Sequence, residues 1–394
     1  MSNMRDEIRN KVMESVDSGE LTRLAQDIVR IPSVYGDEEK VALFLANKFK
    51  EWGFEVTVDE VLPKRPNVYA VLRGQSASPT LMYNGHMDVV PPGDGWTNEP
   101  YSGLLRDGRL YGRGTADMKG PLASMMIAAN ALKRAQVELK GNLLITAVVG
   151  EEENQKGTLQ VADRRMRAEF AVVGEPTELR VCIAHKGDVT VEITTTGKAA
   201  HASVLHQGTN AIYKMRRIIE AIEKFSLELE ARKTHPLLGG ATISVGTIEG
   251  GTISSAVPAL CKIMVDRRTL PDESGEMAEA ELESLVEKLR REDPDLVAHV
   301  KTVVDALPME ISEDHDLVRT LRKAVKEILG HDPEVQGVPY TTDGGILASR
   351  AKIPTVVFGP GDIDLAHRPD ESIPVDEMCA AAKIYALTAL HLLS

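Results

Sequence analysis

Apolar residues Val41, Phe44, Leu45, Phe49 and Trp52 recur at the three- and four-residue spacing of one helix face, with Asp37 placed to cap its start and Gly53 to stop it. Short apolar runs follow at Val68 to Leu72, Thr80 to Tyr83, Leu143 to Val149 and Phe170 to Val173, each of strand length. Between them, Leu122, Met125, Met126, Ala129 and Leu132 mark the buried face of a second helix with Pro121 near its start. This alternation predicts an α/β fold: a mixed central sheet with flanking helices.

From about Gly187 the rhythm changes. The pattern predicts a strand at about 187–196, a helix at about 208–231, strands at about 241–248 and 258–267, a helix at about 274–291 and a strand at about 296–304. That order, β-α-β-β-α-β, is a ferredoxin-like α+β unit. The α/β rhythm then resumes with a helix at about 314–329, a strand Thr355 to Phe358 and a last helix at about 376–393. The simplest organisation is two domains: a discontinuous one of residues 1–186 and 306–394, and an inserted one of residues 187–305. A chain of 394 residues is long enough for both to fold without staples.

Charge and cysteine content narrow the classes. With 46 lysines and arginines against 59 aspartates and glutamates, the net charge of -13 argues against a nucleic-acid or anionic-membrane partner. Cys182, Cys261 and Cys379 are dispersed and odd in number, which suggests neither a disulfide framework nor a thiolate metal site, and fits a cytoplasmic location. The segment MSNMRDEIRNKVMES lacks the apolar stretch of a signal peptide, and no run reaches membrane-spanning length.

The chemistry gathers in four segments after predicted strands or at turns: GHMDVVP (85–91), GRGTADMKG (112–120), VVGEEEN (148–154) and VVGEPT (172–177). A fifth, AHRPDESI (366–373), follows the last strand. Loops at strand ends are where α/β proteins present functional groups. His86 and Asp88, two apart, point to the same side of an extended segment, so the aspartate can hold one imidazole nitrogen while the other meets a metal. The same pair taken alone also describes a turn histidine beside an unrelated aspartate.

Residues 81–120, read as LMYNGHMDVVPPGDGWTNEPYSGLLRDGRLYGRGTADMKG, closely resemble the signature of the M20 family of metallopeptidases and aminoacylases. That family includes acetylornithine deacetylase, succinyl-diaminopimelate desuccinylase, aminoacylases and carboxypeptidases. The resemblance continues through GKAAHAS (197–203), Gly250 and Gly251, DRRTLP (266–271) and the C-terminal histidine segment. It implies a two-metal amidohydrolase of N-acyl amino acids, with a dipeptidase or carboxypeptidase as the alternative and a non-catalytic binding protein as the rival from another class. One metal would be held by His86 and Glu175, the other by Glu152 and His367, with Asp117 bridging. Histidine and carboxylate ligands suit Zn²⁺, with Co²⁺ or Mn²⁺ as alternatives. The family also implies a cis peptide after the bridging aspartate.

In the same pattern Glu151 is the general base, and Gly157 has the expected spacing from a ligand at Glu152. A one-residue shift, with Glu152 as base and Glu153 as ligand, is the alternative register. Where relatives carry aspartate before the base, this chain has Gly150. Asp88 takes the orienting role beside His86. His201 would stabilise the oxyanion from the partner subunit of a homodimer formed through the inserted lid domain. Arg268, in the motif of Asp266 and Pro271, would grip a substrate carboxylate, whereas Arg267 would point to the opposite face as a surface charge. Ser255 stands where many relatives have asparagine, and TTDGGILAS (341–349) resembles a substrate-facing loop that includes Gly345, with Asp343 in support. His185 and His206 match no motif and are expected to be structural.

Overall fold

A computed structural model describes residues 2–232 and 234–394, with side chains from residue 6 onward. The chain forms two compact units. The first comprises the chain to Ile183 together with Glu310–Gln336 and Thr342–Ser394; the second comprises Ala184–Met309 and Gly337–Thr341.

The first unit is built on a mixed sheet. Its strands run in the order Glu55–Leu62, Arg65–Leu72, Asn142–Val148, Thr80–His86, Phe170–Val173, Thr355–Val357 and Val181–His185, ending at Met309–Glu310. Asn142–Val148, Thr80–His86, Phe170–Val173 and Thr355–Val357 pair in parallel. Every residue of Thr80–His86 and of Asn142–Val148 is buried. This is why these strands read as continuous apolar runs: helices cover both faces of a parallel sheet. Gly120–Arg134 and Val375–Leu393 are themselves buried along most of their length, and Tyr83 donates to the carbonyl of Tyr385 between sheet and helix.

The helix expected after Asp37 runs Glu39–Glu51, but its N-cap is Glu38, which makes no capping bond. The Glu38 carboxylate accepts instead from Arg65, at 2.8 and 2.6 Å. A buried guanidinium outcompetes a cap because its charge must be matched. Beyond the expected elements lie two N-terminal helices, Ser2–Glu14 and Ser18–Val29, and a three-stranded sheet of Leu104–Arg106, Arg109–Tyr111 and Ser372–Pro374.

In the second unit, Thr242–Gly250, Leu260–Thr269, Gly187–Thr196 and Val297–Ala306 form an antiparallel sheet in that spatial order. Helices Ala211–Glu230 and Gly275–Glu292 cover it, and their apolar stripes share one core with Val189, Val191, Ile193, Ile263 and Val265. The clean alternation of buried and partly buried positions in Gly187–Thr196 and Leu260–Thr269 follows from having only one face covered by helices. This is the ferredoxin-like arrangement. Among the described residues, no helix is long and apolar enough to cross a membrane.

Candidate metal centre

The carboxyl ends of the parallel strands carry the site, as expected where such strands open onto loops. His86 closes Thr80–His86, Glu151 and Glu152 follow Asn142–Val148, Glu175 follows Phe170–Val173, and the segment of His367 comes after Thr355–Val357. Gly359 lets the last two approach: a Cβ there would sit 2.4 Å from the carbonyl oxygen of Gly174 and 2.5 Å from that of Glu175. Asp117 lies in a kinked turn, Thr115–Lys119, at the entrance to Gly120–Arg134, and the Asp117–Met118 peptide is cis.

Asp117 stands between the two histidines. Its Oδ1 is 2.9 Å from His86 Nε2 and its Oδ2 is 3.2 Å from His367 Nε2. His367 Nε2 also lies 3.0 Å from Glu152, and His86 Nε2 lies 3.7 Å from Glu175 Oε1. One ligand atom from each of His86, Glu151 and Glu175 falls within 4.8 Å of the others, and the same holds for His86, Asp117 and Glu152. All five sequence-predicted ligands therefore converge, with Glu151 beside them.

The run of three glutamates is divided by its surroundings. Glu151 faces His86 and Glu175, Glu152 faces His367, and the half-exposed Glu153 is tied to Arg65 at 3.1 Å, away from both histidines. Gly150 has φ 74, a left-handed conformation that glycine adopts without strain, and this accounts for glycine before the pair.

Asp88 does not orient the His86 ring with its carboxylate. His86 Nδ1–H donates to the Asp88 main-chain carbonyl at 2.9 Å, while the carboxylate oxygen is 3.8 Å away. The Asp88 carboxylate instead accepts the amides of Gly150 (2.8 Å), Glu151 (3.2 Å) and Glu152 (3.0 Å). The turn after Val148 exposes three donors at once, and a buried anion is their strongest acceptor. Asp88 thus shapes the turn that carries Glu151 and Glu152. The carbonyl fixes the His86 tautomer, leaving the Nε2 lone pair for a cation.

The electrostatics match such a cation site. Burial pushes Glu151 and Glu175 well above the usual carboxylate range, and their mutual repulsion adds to it for Glu151. Burial also raises Glu152. Two hydrogen bonds to Asp117 and Glu152 raise His367 to about 10. For His86, burial alone would lower the value, but the Asp117 bond and nearby carboxylates carry it well above normal. Glu175 Oε1 is buried without a hydrogen-bond partner. Carboxylates crowded in a low-dielectric space need positive charge among them, and imidazoles plus oxygens are the donors divalent ions of the zinc, cobalt and manganese group take.

The remaining predicted site residues fall in both units. Gly345 is buried at the start of the turn Ile346–Arg350, and burial pushes the Asp343 carboxyl up to about 7. His201, Ser255 and Arg268 belong to the second unit. His201 and Ser255 lie on adjacent segments: Ala202 N–H donates to the Ser255 carbonyl, and His201 Nδ1 is 2.7 Å from Ser203 Oγ. Arg268 is engaged by Asp266 at 3.0 and 2.9 Å and by Asp188 at 3.1 Å. Arg267 is not a surface charge. It does point to the opposite face, but it is buried there and paired with Glu273 and Glu281, because that face is the one the helix Gly275–Glu292 covers. His185 is buried, its Nδ1–H donating to the Lys186 carbonyl, and His206 is exposed. Sequence reasoning missed Arg113 and Glu371, both buried and paired at 2.6 Å. AHRPDESI offers two other charged side chains, Arg368 and Asp370, and only burial separates Glu371 from exposed Arg368.

The chain is 31% identical over 362 residues to acetylornithine deacetylase of Proteus mirabilis, covering 89% of this chain and 91% of that one. It is 28% identical over 375 residues to N-formyl-4-amino-5-aminomethyl-2-methylpyrimidine deformylase of Bacillus subtilis, covering 88% and 87%. Among solved structures it resembles the Bacillus subtilis YXEP protein, a dinuclear metal binding peptidase, with a TM-score of 0.72, 17% identity and coverage of 95% and 98%. Residues 82–391 match the model of peptidase family M20/M25/M40. The chain belongs to that family, whose members are hydrolases of amide and peptide bonds.

Proposed function

We propose that this chain is a two-metal amidohydrolase that removes the acyl group from an N-acyl amino acid. What supports the reading is the single carboxylate of Asp117 facing His86 with one oxygen and His367 with the other, beside the buried Glu151. His86 and Glu175 would hold one ion, Glu152 and His367 the second, and Asp117 both; zinc is the first choice, with cobalt or manganese next. Bound ions would supply Lewis acidity, polarising an amide carbonyl and making water a better proton donor.

The residues of the chain do the rest. Glu151 takes a proton from the attacking water, the new carbon–oxygen bond forms, and the same carboxyl returns the proton to the leaving nitrogen as the carbon–nitrogen bond breaks. The Asp88 cradle holds the turn so that Glu151 is aimed and Glu152 stays with His367. His201 is the proposed donor to the oxyanion, supplied by a second copy in a homodimer formed through the second unit, where Leu205, Tyr213 and Ile253 leave an apolar surface exposed. Arg268 is the proposed clamp for a substrate carboxylate, exchanging Asp266 for it, with Ser255 and Gly345 completing the substrate contacts. The dispersed cysteines support a cytoplasmic setting.

The test is a panel of N-acetyl, N-formyl, N-succinyl and N-carbamoyl amino acids with matched dipeptides, each with added Zn²⁺, Co²⁺ or Mn²⁺. Release of an acyl group faster than cleavage of every dipeptide is the expected result. Preference for dipeptides would replace the reading by the peptidase one, and no turnover with any of them by a binding protein.

Proton competition gives a second expected result. In the metal-free chain His367 keeps its proton up to about 10, while an unfolded imidazole loses it near 6.5. Between those values the folded state binds more protons than the unfolded, so the stability from this pairing is complete below the lower value and is lost as pH rises through the upper one. A metal requires the neutral ring, so its affinity rises over the same interval. The thermal midpoints of zinc-loaded and chelator-treated protein should therefore diverge as pH is raised from about 6.5. A constant separation would remove His367 from the ligand set.

A further inference from the structure

Glu371 lies four residues beyond His367, is 1% exposed, and accepts four hydrogen bonds. Its Oε1 takes the amides of Ala116 (2.8 Å) and Asp117 (3.2 Å); its Oε2 takes the amide of Gly114 (3.0 Å) and Nη1 of Arg113 (2.6 Å). Both oxygens are thus committed to residues 113–117, the turn that delivers Asp117. The main chain repeats the link, since Gly112 N–H donates to the Glu371 carbonyl at 2.9 Å.

Arg113 extends the clamp. It is 1% exposed, donates through Nη2 to the Pro92 carbonyl at 3.2 Å, and stacks on Trp96 with its guanidinium carbon 5.2 Å from the ring centroid. Trp96 donates to the same Pro92 carbonyl at 2.8 Å, and Asp370 accepts from the Thr97 amide (3.0 Å) and hydroxyl (2.9 Å). The segment that bears His367 therefore grips both the turn of Asp117 and the loop that follows His86.

We infer that Glu371 is the positioning residue of the bridging aspartate. Resting on the two-metal reading above, the inference is that Glu371, neutralised by Arg113, holds the turn of residues 113–117 so that Asp117 is presented to His86 and His367 together. A carboxylate is the side chain the place demands: all four hydrogen bonds it receives come from N–H groups, and an amide would set its own N–H against two of them. Glu371 touches no reacting atom. Its effect is exerted on the bridge, and outer partners of ligands typically alter metal affinity by about 10–100-fold.

The experiment is zinc titration of the full-length metal-free protein by equilibrium dialysis and calorimetry, for wild type, Glu371→Gln, Arg113→Lys and, at an exposed carboxylate outside the clamp, Asp364→Asn. The far-ultraviolet dichroism of each is recorded without metal, and the visible spectrum of each after loading with cobalt. Wild type should take up two ions. Glu371→Gln should bind the second at least tenfold more weakly and give an altered cobalt spectrum, with the dichroism unchanged. Arg113→Lys, which keeps the charge but loses the fork, should weaken the second ion less, and Asp364→Asn should keep both affinities. Two ions bound by Glu371→Gln at wild-type affinity would overturn the inference; if that variant does not fold, unchanged affinities in Arg113→Lys would do the same. Failure of the wild type to bind two ions would instead overturn the two-metal reading.

Discussion

Replacing Glu151 by alanine is expected to reduce turnover by a factor of about 10²–10⁴ or more while leaving the metal content intact. Glu151 lies among His86 and Glu175, yet the shared contacts of Asp117 with the two histidines are complete without it. Removing a carboxylate that moves a proton costs rate, whereas removing one that holds a cation costs the cation. Glu152→Ala is the matched control: its partner is His367, at 3.0 Å, and it should lose one ion. Metal analysis and initial rates on both variants separate the roles. A Glu151 variant that loses metal would become a ligand variant, and one that keeps full activity would move the base to Glu152. The Glu151→Ala protein also tests the homodimer proposal. Mixed with His201→Ala protein under conditions of subunit exchange, it should recover part of the activity, because one mixed site would hold both an intact base and an intact oxyanion donor. No recovery, with exchange verified, would confine His201 to its own subunit or remove it.

The fold was legible where burial enforces a period. Gly187–Thr196 and Leu260–Thr269 alternate because one face is covered, and Thr80–His86 is buried throughout because both are. The strand Glu55–Leu62 escaped notice because it lies at the sheet edge, is exposed along much of its length and mixes Glu55, Asp59 and Glu60 with valines. The convergence of His86, Asp117, Glu152, Glu175 and His367 was legible because histidines and carboxylates at strand ends are chemically conspicuous. It was not legible in its supports. Asp88 was singled out as the residue that orients His86, but its carboxylate serves three main-chain amides rather than the imidazole, and no pattern of side chains reveals where backbone donors converge. Arg267 was read as a surface charge and Glu371 was passed over because a charge that is buried and matched reads along the chain like one in solvent. Removing one partner of such a pair costs about 3–5 kcal/mol, so these residues are among the least replaceable.

Asp117→Asn should abolish two-metal binding with almost no change in side-chain volume. Two dications a few ångströms apart repel by on the order of 20 kcal/mol at an effective dielectric constant of about 20, and an anion between them is the direct remedy. Burial would raise the Asp117 carboxyl, but hydrogen bonds from His367 and His86 more than offset this and hold it well below the ordinary range, so it is a full negative charge at neutral pH. Asparagine removes that charge and turns one of the two oxygens, which face His86 at 2.9 Å and His367 at 3.2 Å, into an amide nitrogen that can neither bind a cation nor accept from an imidazole. Zinc uptake should therefore fall from two ions to one at most, and activity should fall at least as far as in Glu151→Ala, but with metal lost rather than retained. The contrast between these two variants is the sharpest test of the centre. Two ions bound by Asp117→Asn at wild-type affinity would mean that His86, Glu175, Glu152 and His367 hold the pair without a bridge and that Asp117 only joins the two histidines.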